Sequence, residues 1–220
     1  MAMNVFITGG SGYIGRPLIR TLLDRGHKVK ALVRKGSEAK LPEGTECVIG
    51  DALKMDSYTD KIHPSGTFVH LIGVPHPSPA KAAQFRDVDL VSIKVATKAA
   101  RDAGIRHFVY LSVAQPAPVM KAFIEVRRQG EELVGGTGIT ATFVRPWYVL
   151  GAGHRWPYLL LPFYWICEQL PATRESARRL GLVTISQIVR ALAWSIENPA
   201  DKIQIVDVPK IRDLSPSRND

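Results

Sequence analysis

The chain has 220 residues, 45% hydrophobic and 22% charged, with 29 basic against 20 acidic residues and a formal charge of +9. That length suits one globular domain burying roughly 70% of the surface its unfolded chain would expose, and no apolar run reaches the roughly 18 residues a membrane-spanning helix needs. The basic residues are scattered and no helix-turn-helix, zinc or RNA-binding signature accompanies them, so the excess reads as solubility plus a phosphate-bearing ligand and not as nucleic-acid binding.

The two cysteines, Cys47 and Cys167, match no metal or redox spacing and are expected to be buried free thiols in a reducing compartment. The chain enters its first strand without a signal peptide, which predicts a cytoplasmic protein. No metal site is expected.

The first element is the apolar run Val5-Phe6-Ile7, which stops at Thr8-Gly9-Gly10-Ser11-Gly12-Tyr13-Ile14-Gly15. Ile14, Leu18, Ile19, Leu22 and Leu23 then follow at helical spacing. Strand, glycine-rich turn and helix form the context in which Gly-x-x-Gly-x-x-Gly reads as a dinucleotide site. Gly9 permits a sharp turn, Gly12 a close approach to a diphosphate, and Gly15 tight packing of helix on strand. Amides and the dipole at the helix start then face the phosphates.

Gly26 is the expected left-handed cap of that helix. The second strand, Val29 to Val33, ends in Arg34-Lys35. A carboxylate at this strand end binds a free ribose 2′-hydroxyl, whereas an arginine accommodates a 2′-phosphate. With Arg34 in place of an acid, NADP is preferred to NAD; the alternative is a solvated strand end. Cys47 to Gly50 is a third strand, and Asp51 after it either accepts from the adenine amino group or caps the next turn. Thr67 to Ile72 is a continuously apolar fourth strand, as suits a parallel strand covered on both faces. It leads into a proline-rich loop, and His70 and His76 near it are more often structural than acid–base groups.

Ala80 to Ala103 reads as one long helix, Phe108 to Leu111 as the fifth strand, Met120 to Val134 as a helix and Ala141 to Val144 as the sixth strand. The alternation specifies a doubly wound parallel sheet, the α/β Rossmann class. From Thr184 an amphipathic helix runs to Asn198-Pro199, capped by Thr184 or Ser186, and Ile203 to Val208 is a last strand. The chain is thus expected to be a single domain, 1–220, with a core at 1–146, a small C-terminal substrate lobe at 147–208 and a tail at 209–220 that is disordered from Ser215.

The glycine-rich turn, the basic second-strand end, Gly50-Asp51, His107-Phe108-Val109-Tyr110-Leu111-Ser112 and Val144-Arg145-Pro146 occur in an order that resembles the atypical branch of the short-chain dehydrogenase/reductase superfamily. Its NAD(P)-binding, NmrA-like and epimerase-like members are the similar group. The resemblance implies cofactor contacts from Gly9, Gly10, Ser11, Gly12, Tyr13, Ile14, Arg34, Asp51, Ala52, Leu71, Gly73, Arg127 and Pro146. Active members use a serine after the fifth strand and a Tyr-x-x-x-Lys pair on the next helix. Ser112 stands at the serine position, but the pair falls on Phe123 and Arg127. Phenylalanine has no proton to give, and arginine offers a ribose different geometry from lysine. No tyrosine lies between Ser112 and Arg145, so a simple slip of alignment does not restore the relay. Ser112, Arg127 and Tyr148 are then the residues expected at the nicotinamide, with Tyr148 as a stand-in acid or a packing residue.

The segment after Pro146 holds Trp147, Tyr148, Trp156, Tyr158, Phe163, Tyr164 and Trp165. Read as a lid it implies a large apolar or aromatic small-molecule substrate; otherwise it is the core of the small lobe, or a peripheral membrane contact beside Arg155, Arg174, Arg178 and Arg179. The expected activity is an NADP-dependent oxidoreductase working on an apolar carbonyl, quinone or flavin-like acceptor; the alternative is a non-catalytic dinucleotide-binding sensor or assembly factor. Nothing in the sequence speaks to oligomeric state.

Overall fold

A computed structural model of the chain describes residues 2–150 and 174–214. Its elements in chain order are β1 (Asn4–Thr8), α1 (Gly15–Asp24), β2 (Lys28–Val33), β3 (Glu46–Ile49), β4 (Thr67–His70), α2 (Val91–Asp102), β5 (His107–Leu111), α3 (Lys121–Gly135) and β6 (Thr140–Val144). They are followed by β7 (Val149–Leu150), α4 (Arg174–Arg179), β8 (Val183–Thr184), α5 (Ile185–Glu197), β9 (Ile203–Val206) and α6 (Val208–Asp213).

Seven strands form one parallel sheet in the order β3-β2-β1-β4-β5-β6-β9, while β7 and β8 pair in a separate two-stranded ribbon. Strand order reverses between β1 and β4, which leaves a crevice at their C-terminal ends where α/β sheets bind ligands. Side chains alternate along each strand between two cores. Val5, Ile7, Val29, Ala31, Val69, Val109 and Val144 pack with Leu18, Leu22, Ile188, Leu192 and Ile196 of α1 and α5. Phe6, Phe68, Phe108, Tyr110 and Phe143 face the other way, against Ala96, Ala99 and Ala100 of α2 and Val134 of α3. The aromatic side is a row of rings, with Phe68 and Phe108 stacked at 5.1 Å and Phe6 tilted on Phe68 at 5.2 Å. Small alanines let α2 settle onto that row.

Four readings change. The helix expected over Ala80 to Ala103 is instead a 3-10 turn (Pro79–Lys81), one α turn (Ala82–Gln84), a π-helical stretch (Phe85–Leu90) and then α2. The π stretch buries Phe85 and Asp89 together, and a side-chain period alone does not reveal that extra residue per turn. Cys47 is exposed, not buried, because β3 is an edge strand on which only Val48 is covered. The fourth strand stops at His70, two residues early.

The last strand ends at Val206, and α6 occupies part of the expected tail with Val208 and Ile211 buried. Asp207 Oδ1 accepts from the Lys210 amide to cap α6, and Pro209 sits in its first turn, a local signal for a helix start. Gly26 is left-handed at φ +79°, as expected of the α1 cap. Thr184 is the cap of α5, in a reciprocal capping box with Gln187.

Candidate functional site

Gly9 follows β1 with φ +81°, in the left-handed region that glycine enters without strain, and the turn closes when the Gly12 amide donates to the Gly9 carbonyl at 3.0 Å. A Cβ on Gly15 would overlap the Gly9 carbonyl oxygen and lie 2.7 Å from Gly10 Cα. Only a glycine lets α1 start this close to β1. The helix has no side-chain cap and no acidic residue in its first turn, and the amides of Gly10, Ser11 and Ile14 donate to no backbone carbonyl among the described residues. Bare amides at a positive helix end form a cradle for an anion. A diphosphate fits it.

The far wall of the crevice is the segment after β4. A Cβ on Gly9 would sit 3.0 Å from the Leu71 carbonyl carbon and 3.1 Å from the Ile72 nitrogen, so the two backbones touch. On the adenine side, Arg34 and Lys35 are exposed at the end of β2, above a turn in which the Ser37 amide donates to the Arg34 carbonyl. Asp51 Oδ1 accepts from the Leu53 amide at 3.0 Å, the capping role weighed for it. The second carboxylate oxygen has no partner among the described residues, and Ala52 follows it half-buried.

At the other end of the crevice, β5 runs on into Ser112, whose amide donates to the Val144 carbonyl at 2.8 Å; the Ala114 amide then donates to the Pro146 carbonyl at 2.8 Å. This extension brings Ser112 beside the 146–148 segment. Ser112 Oγ is buried with no hydrogen-bond partner among the described residues, as is Gln115 Nε2 on the same loop. Tyr148 is half-buried, with its ring edge-on to Trp147 at 5.5 Å. The aromatic residues expected in a lid, Trp156, Tyr158, Phe163, Tyr164 and Trp165, lie outside the described residues, as does Cys167.

On α3, Phe123 packs against Phe85 with ring centroids 5.0 Å apart. Arg127 is buried. Its Nη1 donates to the Leu111 carbonyl at 3.0 Å and to the Tyr110 hydroxyl at 3.4 Å. Its Nη2 donates to the Ile72 carbonyl at 3.2 Å and to Asp89 Oδ2 at 3.1 Å. The other Asp89 oxygen accepts from the Val74 amide at 2.8 Å. Burial pushes the Asp89 carboxyl above its usual range, with Arg127 and the Val74 amide acting against it. Gly73 is required here because a Cβ would overlap Arg127 Nη2.

Asp89 is the residue that sequence reasoning missed. The available signal was an acid four residues after Phe85 and three before Ser92, on a face otherwise given to the core. Tyr110 looks like a substitute for the absent tyrosine, but it is fully buried on β5 and its hydroxyl accepts from Arg127.

His70 is structural. It is fully buried, and burial, reinforced by Arg127, pushes its pKa down to about 3. Ser92 Oγ donates to the Asp89 carbonyl at 3.0 Å and therefore accepts from His70 Nε2 at 3.3 Å. His70 Nδ1 then accepts from Thr8 Oγ1 at 2.8 Å. His76 is exposed in the proline-rich loop at φ +50°. Among the described residues no cluster of three or more His, Cys, Asp or Glu could hold a metal, and no helix is long and apolar enough to cross a membrane.

A parallel sheet that reverses order at an amide cradle, with serine after its fifth strand, defines a nicotinamide dinucleotide-binding domain of the short-chain dehydrogenase/reductase type. The profile of the NAD(P)H-binding family matches residues 9–153, and the chain belongs to that family.

Solved structures share its fold. They include WbmH of Bordetella bronchiseptica in complex with NAD+, with TM-score 0.70 and 18% identity over 92% of this chain and 75% of that one. Another is the UDP-N-acetylglucosamine 4-epimerase of Bacillus cereus, with TM-score 0.69 and 12% identity over 94% and 78%. Among relatives by sequence, the 4-hydroxy-2-methyl-3-oxo-4-farnesyl-3,4-dihydroquinoline-1-oxide ketoreductase of Stigmatella aurantiaca is 28% identical over 68% of this chain and 51% of its own length. The ceramide reductase of Caulobacter vibrioides is 27% identical over 90% and 59%, and the photosystem II assembly factor Ycf39 of Synechocystis 26% over 65% and 44%. The chain thus spans about half the length of the curated relatives it matches.

Proposed function

We propose that this chain is a cytoplasmic NADP(H)-binding oxidoreductase acting on an apolar carbonyl, quinone or flavin-like acceptor. The observation that carries the reading is the bare-amide cradle facing Leu71, with exposed Arg34 and Lys35 where a carboxylate would mark NAD. Gly9, Gly10, Ser11, Gly12, Tyr13 and Ile14 would hold the diphosphate, and Arg34 the 2′-phosphate. Asp51 and Ala52 would meet the adenine, and Leu71, Gly73 and Pro146 would line the path to the nicotinamide. When bound, the dinucleotide supplies two electrons as hydride.

Ser112 and Gln115 would orient the acceptor oxygen, since a buried polar group without a partner is stabilised when a ligand satisfies it. The balancing proton would come from Tyr148 or from water, because Phe123 has none and Arg127 keeps its own. Relatives named as reductases of a farnesylated quinoline oxide and of a ceramide support an apolar acceptor. An exposed free thiol at Cys47 fits a reducing compartment.

One observation favours a second reading, a dinucleotide-binding sensor or assembly factor without redox chemistry: Phe123 packs on Phe85 in the tyrosine position, and one relative is named as an assembly factor. The two readings separate when purified protein is mixed with NADPH and a panel of quinones, flavins and aromatic aldehydes while absorbance of the reduced cofactor is followed. Oxidation by any of them supports the enzyme. Tight NADPH binding with no oxidation across the panel supports the sensor.

A further inference from the structure

The crevice wall after β4 is pinned from two sides. On one side the Leu71 amide donates to the Thr8 carbonyl at 3.0 Å, and Gly9 packs on Leu71 and Ile72. Past Leu71 the sheet gives no support: among the described residues no backbone–backbone hydrogen bond reaches Ile72, Gly73 or Val74. A part-exposed segment without such bonds opens easily, and here two side chains hold it instead. Arg127 Nη2 donates to the Ile72 carbonyl at 3.2 Å, and Asp89 Oδ1 accepts from the Val74 amide at 2.8 Å. Arg127 and Asp89 are themselves joined at 3.1 Å, and the space a Gly73 side chain would need is filled by Arg127 Nη2. Asp89 comes to this position from the π-helical stretch, a rare conformation that often marks a functional site. The same stretch is tied to the residue before Gly9, because Ser92 Oγ bridges the Asp89 carbonyl and His70 Nε2, and His70 Nδ1 accepts from Thr8 Oγ1.

From this arrangement we infer that Asp89 is a positioning residue for the dinucleotide: together with Arg127 it fixes the Ile72–Val74 backbone on the path to the nicotinamide, and it acts on the ligand through that backbone. Its own side chain is 0% exposed and touches no ligand. The inference rests on the dinucleotide reading proposed above and adds a residue to it. Positioning differs from simple structural support in one measurable way. An apolar pair of matching volume can replace a buried ion pair without loss of stability, but it offers the Ile72 carbonyl no donor and the Val74 amide no acceptor. Stability then returns and cofactor affinity does not.

The test is calorimetric titration of NADH and NADPH into the intact chain, into Asp89→Asn and into the double variant Asp89→Leu/Arg127→Met, with thermal unfolding of each. Asp89→Asn keeps Arg127 but leaves one acceptor oxygen for two donors, and the double variant removes the clamp while restoring apolar packing. Each variant is expected to bind every dinucleotide that the wild type binds about fivefold or more weakly, the double variant with a thermal midpoint above that of Arg127→Met. A smaller loss of affinity in either variant overturns the positioning role and leaves the dinucleotide reading standing; recovery of affinity along with stability in the double variant does so most directly. If the double variant does not fold, Asp89→Asn alone decides. If the wild type binds neither dinucleotide, the dinucleotide reading fails and takes the inference with it.

Discussion

Arg127 Nη2 and Asp89 Oδ2 lie 3.1 Å apart across 38 residues of sequence, with the side chains 7% and 0% exposed. By the resemblance, Arg127 is expected at the lysine position of the superfamily's Tyr-x-x-x-Lys pair, and here it is committed to Asp89. It ties α3 to the π-helical stretch before α2 and, through the Ile72 carbonyl and the Val74 amide, to the segment after β4. A buried pair of this kind contributes little beyond what a well-packed apolar pair would, but removing one partner exposes the other to its full desolvation penalty.

Arg127→Met is therefore expected to destabilise the fold by about 3–5 kcal/mol, since Asp89 loses its buried ion-pair partner and keeps only the Val74 amide. The double variant Arg127→Met/Asp89→Leu should recover much of that loss. Urea unfolding of both variants measures it, and equal stability of the single variant and the wild type would contradict the pairing.

Stability should fall in mild acid. Burial lowers the pKa of His107 to about 4 and of His70 to about 3 from an ordinary 6.5, so below about pH 6.5 the unfolded chain binds protons that the folded one refuses. More protons on the unfolded side means that stability rises with pH in this window. The contribution present above pH 6.5 is lost as pH drops toward 4 and then 3. His107→Asn, which removes one of the two groups, should flatten the slope of unfolding free energy against pH between 6.5 and 4. An unchanged slope would show that His107 is not held neutral.

On the proposed reading, in which the exposed Arg34 guanidinium binds a 2′-phosphate that NADH lacks, Arg34→Ala should weaken NADPH binding by tenfold or more and NADH binding by less than twofold. Parallel titrations decide it. Equal losses for the two cofactors would return Arg34 to the status of a solvated strand end.

Ser112→Ala separates stability from function. The hydroxyl is buried with no partner among the described residues, so its removal should leave the thermal midpoint unchanged or raise stability by up to about 1 kcal/mol. Cofactor affinity should hold, while turnover of whichever acceptor the panel identifies falls at least tenfold. A destabilised Ser112→Ala protein would show that the hydroxyl has a structural partner after all.

The core of the fold was legible in residue order. A strand that stops at glycines and restarts as an amphipathic helix needs only near neighbours to be recognised: Gly9 at positive φ and Gly15 under the Gly9 carbonyl are local requirements of the backbone. The capping pair Thr184 and Gln187, three residues apart, is legible for the same reason. The alternation of β5 between Val109 on one core and Phe108 and Tyr110 on the other follows from the twofold period of a strand.

Other features depended on which distant segments came to lie together. Nothing near Arg127 in the chain announces Asp89, and nothing near Ser112 shows that its hydroxyl is left without a partner among the described residues. The exposure of Cys47 follows from the place of β3 at the sheet edge, a property of strand order and not of the residues beside it. Local conformation is set by the preferences of adjacent residues, and so it can be read along the chain. Burial, ion pairing and the satisfaction of polar groups are set by neighbours through space, and only the packed molecule supplies those.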